Sequence, residues 1–138
     1  VTLRYALDTN IVSAACRSHP SGGLLKRLDR HSSEIAIPSP VWHELRYGVF
    51  LLEPSRRRES LERFLWDVLL ATFPLLPYDK PAADWHALER ARLARLGRPT
   101  PFVDGQIAAI ARVHDLILVT DNLRDFRRFS ALRLANWI

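Results

Sequence analysis

A chain of 138 residues and 15.9 kDa is one domain's worth, long enough to bury about two-thirds of its extended surface without a staple. Its 48% hydrophobic and 25% charged residues exclude disorder, no apolar run is long enough to predict a membrane span, and the single Cys16 excludes an intrachain disulfide or a cysteine-based zinc site. The net charge of +5, carried by arginine at every basic position except Lys26 and Lys80, predicts attraction to polyanions such as RNA or DNA; the plainer reading is an ordinary arginine-rich enzyme.

Residues 1–8 are too short and too soon charged for a secretory signal, so the expectation is a cytoplasmic protein with one domain over 1–138. Residues 3–7, apolar apart from Arg4, stop at Asp8-Thr9-Asn10 and predict a buried first strand followed by a helix start. Ser21-Gly22-Gly23 opens a short helix to Arg30, and residues 34–38 form the second strand. Ser39 as N-cap and Pro40 at the first helical position start a helix to about Leu52, before Pro54. Ser55 caps the next helix, through about Leu70, in which Leu61, Phe64, Leu65, Val68 and Leu69 keep helical spacing. Leu75-Leu76, held between Pro74 and Pro77, can only be a short edge strand.

Asp79-Lys80-Pro81 begins a helix that Gly97 ends. After a proline-bearing loop at 98–101, residues 102–114 form an Ala/Ile-rich helix and 116–120 the clearest buried strand. A loop with Asp121, Asn122 and Asp125 follows, and a last short strand falls within 132–138. Strands alternating with helices predict an α/β domain: a central parallel sheet with helices on both faces.

Ligands of such sheets bind outside the carboxyl ends of the strands. Asp8 follows strand one, Glu44 lies just over a turn into the helix after strand two, Asp104 is in the first turn of the helix from Phe102, and Asp121 follows the strand at 116–120. All four can therefore share one edge. Asp104 lies on a helix face with Ile107, Ala108 and Ala111, a core-directed stripe where an unpartnered carboxylate is rare. Carboxylates gathered in one pocket need a cation or a proton, and oxygen-only ligands favour Mg²⁺ or Mn²⁺. Taken singly, Asp8 could be a helix cap, Asp104 a residue favoured by its helix dipole, and Asp121-Asn122 a turn; Glu44 has no such role. The five histidines show no metal-ligand pairing, and neither a phosphate-binding glycine loop nor a nucleophile elbow is present. The arginine groups 56–58 and 90–98 read as solvated helix faces, with Arg98, beside the loop before Asp104, as the one placed to approach a substrate phosphate.

The segments Leu7-Asp8-Thr9-Asn10-Ile11, His43-Glu44-Leu45-Arg46-Tyr47-Gly48, 101–109 around Asp104, and 118–126 from Leu118 to Phe126 resemble, in order and spacing, the PIN-domain family and within it the VapC-like ribonuclease toxins of toxin–antitoxin pairs. The resemblance covers nearly the whole chain. It implies a parallel sheet of four to five strands and Mg²⁺-dependent endoribonuclease activity, with Mn²⁺ able to substitute. Asp8 and Asp104 then become the principal metal ligands, Glu44 a water-mediated ligand or base, and Asn10, Asn122 and Arg98 the substrate contacts. The family's fourth acid falls at Asn122, leaving Asp121 or Asp125 to complete the catalytic set. A metal so held activates water and neutralises a phosphodiester oxygen, without a side-chain nucleophile. The competing readings are a silent PIN scaffold that binds RNA or protein, which intact Asp8, Glu44 and Asp104 oppose, and a housekeeping RNA-processing nuclease. The implied partners are RNA, a VapB-like antitoxin and no membrane. Val49 to Leu52, with Phe64, Trp66 and Leu70, present more apolar surface than one core stripe absorbs, which adds a homodimer to the expectation.

Overall fold

The computed structural model describes residues 2–17 and 19–138. Among them, five strands form one parallel sheet in the order β3-β2-β1-β4-β5. The strands are β1 (Tyr5–Leu7), β2 (Ile35–Pro38), β3 (Leu75–Leu76), β4 (Ile117–Val119) and β5 (Leu134–Ala135). The three central strands are almost wholly apolar and buried, as a sheet covered on both faces requires. Their register places Ala6 beside Ala36 and Leu118, and Leu7 beside Val119, so the strand ends are level along one edge. Leu75-Leu76 does form an edge strand, next to β2.

From β1 the chain adds β2 and β3 on one side, then crosses over to add β4 and β5 on the other. With right-handed crossovers, that reversal puts helices on both faces. It also makes β1 and β4 neighbours whose outgoing connections run in opposite directions. This is the switch point at which an open parallel sheet leaves a crevice beyond its strand ends.

The helices follow the cap chemistry closely. Asp8 caps α1 (Thr9–Ala15), Ser21 caps α2 (Gly22–Arg30), Ser55 caps α4 (Arg56–Arg63) and Asp79 caps α6 (Lys80–Arg95). Gly97, at φ +69°, takes the left-handed turn just beyond α6. Two boundaries differ from expectation. Helix α3 (Ser39–Leu51) is capped by the extended backbone of Pro38, and Ser39 is already helical. The helix from Ser55 is not uniform: after α4 it widens into a π-helical stretch, Phe64–Leu69, before α5 (Leu70–Thr72). Across this stretch Leu65 and Leu69 are buried while Trp66 and Val68 face outward. Helix α7 (Phe102–Val113) packs on α6, and the loop after β4 contains the short helix α8 (Leu123–Phe126), which the sequence reading left as loop. Among the described residues, no helix is long and apolar enough to cross a membrane.

Candidate active site

The first carboxylate is placed by the chain's central strand. Asp8 leaves β1 at its carboxyl end and is 6% exposed. Its Oδ1 accepts from the Thr9 backbone N–H at 2.8 Å, the capping bond of α1, and its Oδ2 accepts from the Thr120 hydroxyl at 2.8 Å. Thr120 follows β4 and is fully buried; its Oγ1 in turn accepts from the Asn122 N–H at 2.9 Å. The cap role is real, and it accounts for only one of the two carboxylate oxygens. The other is tied across the switch point to a residue 112 positions away.

The second side of the cleft is held in the same way. Asn10, on α1, donates from Nδ2 to Asp121 at 3.2 Å, and Asn122 donates from Nδ2 to Asp125 at 3.2 Å. Asp125 also faces Arg128 at 3.9 Å. Asn10 and Asn122 thus position acids, whatever else they contact. Asp121 is exposed at the rim, and Asp125 is half-buried in the first turn of α8.

Asp104 and Glu44 reach this edge from α7 and α3. Burial, then the charges of Asp8, Asp125 and Glu44, push the Asp104 carboxyl up to about 6. Burial also pushes Asp8 upward; the bonds from Thr120 and Thr9 pull it back, and Asp121 and Glu44 push it up again. Asp8 thus lies within the fields of Asp121 and Glu44, and Asp104 within those of Asp8, Asp125 and Glu44, so the five acids share one electronegative edge. Among the described residues none of Asp8, Glu44, Asp104 and Asp121 forms an ion pair. Arg98 is exposed in the loop between α6 and α7, its backbone N–H bonded to the Leu93 carbonyl, and its guanidinium pairs with none of the acids.

The donor set suits a hard divalent cation: carboxylate oxygens only, repelling one another, with Asp8 and Asp104 desolvated and without a counter-charge among the described residues. It is not a closed cage. Among the described residues, no three His, Cys, Asp or Glu side chains stand together as a ready ligand set.

Two structural supports escaped the sequence reading. Thr120 carried a signal, a hydroxyl at the end of an otherwise apolar strand and just before Asp-Asn. The other support is Gly105, next to Asp104 inside α7. A Cβ there would run into the ring of buried His86 on α6, so the glycine is what lets α6 and α7 approach. Gly105→Ala is expected to lower stability by about 1–3 kcal/mol through overpacking, against the usual helical gain of about 1 kcal/mol for that exchange. A melting temperature equal to or above that of the unchanged protein would refute the notch.

A parallel sheet in this strand order, with acids at its switch point, defines an open α/β domain whose site lies beyond the strand ends. The profile of the PIN domain family matches residues 5–132, and the chain belongs to that family. It is 35% identical over 136 residues, 98% of both chains, to the tRNA(fMet)-specific endonuclease VapC of Shigella flexneri. It is also 35% identical over 137 residues, 99% of both chains, to Ribonuclease VapC2 of Haemophilus influenzae. Its fold superposes with a TM-score of 0.87 and 32% identity, over 99% of each chain, on the DNA-bound VapBC complex of Salmonella typhimurium.

Proposed function

We propose that this chain is a Mg²⁺-dependent endoribonuclease, the toxin of a toxin–antitoxin pair. The observation that carries the reading is Asp104: half-buried, without a counter-ion among the described residues, and raised to about 6 first by that burial and then by the charges of Asp8, Asp125 and Glu44. Such a site invites a cation. Asp8 and Asp104 would hold it, with Glu44 and one of Asp121 and Asp125 acting through water. When bound, Mg²⁺ supplies a Lewis acid that neutralises a phosphodiester oxygen and acidifies water. The chain's own residues do the rest. Thr9 and Thr120 fix both oxygens of Asp8, Asn10 fixes Asp121, and Glu44, without an ion-pair partner among the described residues, would take a proton. With water as nucleophile, the products carry 5′-phosphate and 3′-hydroxyl ends. Transfer RNA is the first substrate to try, given the name of the Shigella relative. The test is incubation of the purified protein with RNA in Mg²⁺ or in EDTA, followed by end-group analysis. A 2′,3′-cyclic phosphate among the primary products would rule the mechanism out.

The partners follow from two surfaces. A cavity of about 850 Å³ opens beside the acids between α1, α3 and α4; Leu45, Val49 and Leu65 supply its apolar floor, Glu44 its acid, and Arg17 and Arg57 its basic groups. An antitoxin segment with an apolar anchor and a charged tip, such as an arginine reaching the carboxylates, suits this lining. On the outer side, Tyr47, Phe50, Leu51, Trp66 and Val68 are each about half exposed or more, around an Arg46 guanidinium that lies 4.4 Å from the Phe50 ring centre and 5.6 Å from that of Trp66. We assign this apolar surface to a twofold homodimer. Light scattering at tens of micromolar is expected to give twice the 15.9 kDa chain mass, and a monomeric mass would overturn it.

A further inference from the structure

Two glycines lie deep inside helices, and they differ. Gly105 on α7 gives up its side chain to the ring of His86. Gly48, near the end of α3, gives up its side chain to nothing: a Cβ built there would stand in open space. Its φ is not positive, so no left-handed turn calls for glycine either. Glycine inside a helix is weaker than alanine, and neither packing nor backbone geometry accounts for it here.

Gly48 stands in the wall of the cavity of about 850 Å³ between α1, α3 and α4. It lies one turn beyond Glu44 on the same face of α3, about 6 Å along the axis. Glu44 lines the cavity too, and its charge presses on both Asp8 and Asp104. Thr9, another wall residue, donates its backbone N–H to Asp8 at 2.8 Å. The cavity therefore opens directly from the acids, and a polymer held at the acids enters it with its next unit.

The lining has three parts. Leu45, Val49 and Leu65 are buried and apolar, Ser13 and Ser60 bring exposed hydroxyls, and Arg17 and Arg57 are exposed. Neither arginine pairs with an acid among the described residues. An apolar floor suits the face of a nucleobase, hydroxyls suit its edges, and an arginine fork suits its phosphate. The volume lies within the roughly 300–1,000 Å³ of pockets that enclose small organic ligands. A flat ring comes against helix backbone only where no side chain intervenes, and Gly48 is that gap.

We propose that this cavity is a subsite for one nucleotide of single-stranded RNA next to the cleavage point, and that Gly48 is the residue that admits its base. Arg57 takes the adjoining phosphate. A duplex would not serve, because its bases are not free to splay into the cavity. The nucleotide and the antitoxin segment assigned to the same cavity exclude each other. The subsite rests on the ribonuclease reading, and the experiment separates the two.

The probe is a fluorescently labelled, unstructured RNA oligonucleotide, tested with the full chain and with Gly48→Ala, Gly48→Leu and Arg57→Gln. Binding is measured in EDTA over a range of KCl, and kcat and KM in Mg²⁺. Gly48→Ala is expected to raise the melting temperature by about 2–4 °C, since its methyl meets open space, and yet to weaken RNA binding about threefold. Gly48→Leu fills the gap and is expected to weaken binding at least about tenfold with the salt slope unchanged. Arg57→Gln is expected to weaken binding about tenfold and to reduce the slope of log K against log salt by about 0.7, one phosphate's share on a single strand. All three raise KM and leave kcat within about threefold. If the unchanged protein binds and cleaves while Gly48→Leu binds RNA as tightly, the cavity belongs to a protein partner alone; the subsite falls and the ribonuclease stands. A lower melting temperature for Gly48→Ala makes the glycine a packing residue, and a loss of kcat at constant KM makes it a prop for Glu44; either sinks the subsite. If the unchanged protein neither binds nor cleaves RNA, the ribonuclease reading itself fails and the subsite with it.

Discussion

In millimolar Mg²⁺, Asp104→Asn is expected to cleave RNA at least about a thousandfold more slowly than the unchanged protein. Lewis-acid stabilisation at a phosphodiester contributes several kcal/mol to the barrier, and each 1.36 kcal/mol is a factor of ten. The amide cannot supply the anionic oxygen that holds the ion, and Asp104 is the acid on which Asp8, Asp125 and Glu44 all press. Asp8→Asn should fall as far for a second reason: an amide can accept from only one of Thr9 and Thr120 through its oxygen. Asp84→Asn, which removes one exposed partner of Lys80 on α6, is the control and should cleave at the unchanged rate. Activity of Asp104→Asn within about tenfold of the unchanged protein would remove this residue from the reaction.

The same substitution should stabilise the metal-free fold. The Asp104 carboxyl ionises near 3.8 when unconstrained and near 6 in the folded protein, so between those pH values the folded state keeps a proton that the unfolded chain releases. Stability therefore falls as pH rises from about 4 to 6 and stays reduced above that, by about 1–2 kcal/mol at neutral pH for a half-buried, partly screened carboxylate. Burial pushes Asp8 in the same direction. In EDTA at pH 7.5, Asp104→Asn should recover about 1–2 kcal/mol and lose this part of the pH dependence. Mg²⁺ should then reverse the order. At about 100 times its dissociation constant it adds about 2.7 kcal/mol to the unchanged protein and much less to the variant. Urea denaturation with and without Mg²⁺ reads both effects; a variant less stable than its parent in EDTA would mean that the acids do not repel.

Most of the fold was legible because it rests on local signals. Ser21, Ser55 and Asp79 cap the helices the sequence assigns to them, Gly97 ends α6, and the buried runs before Asp8 and Asp121 are strands. The acids were legible through strand order: once Asp8, Glu44, Asp104 and Asp121 follow strands or open helices, a parallel sheet carries them to one edge. What remained hidden is what depends on contacts between distant elements. The π-helical stretch at Phe64–Leu69 leaves no mark in the spacing, because Leu65 and Leu69, four residues apart, share a face in an ordinary α-helix as well. Pro38 rather than Ser39 caps α3 because the backbone leaving β2 is still extended there. The Thr120 bond to Asp8 and the His86–Gly105 notch each join side chains that no window along the chain contains.

The 112-residue separation between Asp8 and Thr120 bears on how such an enzyme is made. Asp8 is synthesised well before Thr120 and Asp121, and β4 must add beside β1 before the cleft exists. Until then β1 lacks one of its two neighbours and Asp8 lacks its cross-strand anchor. A chain that has not yet added β4 therefore carries Asp8, Glu44 and Asp104 without the Thr120 anchor or the second side of the cleft. Assembly of the site waits on that crossover, and the delay is written into the order of the strands.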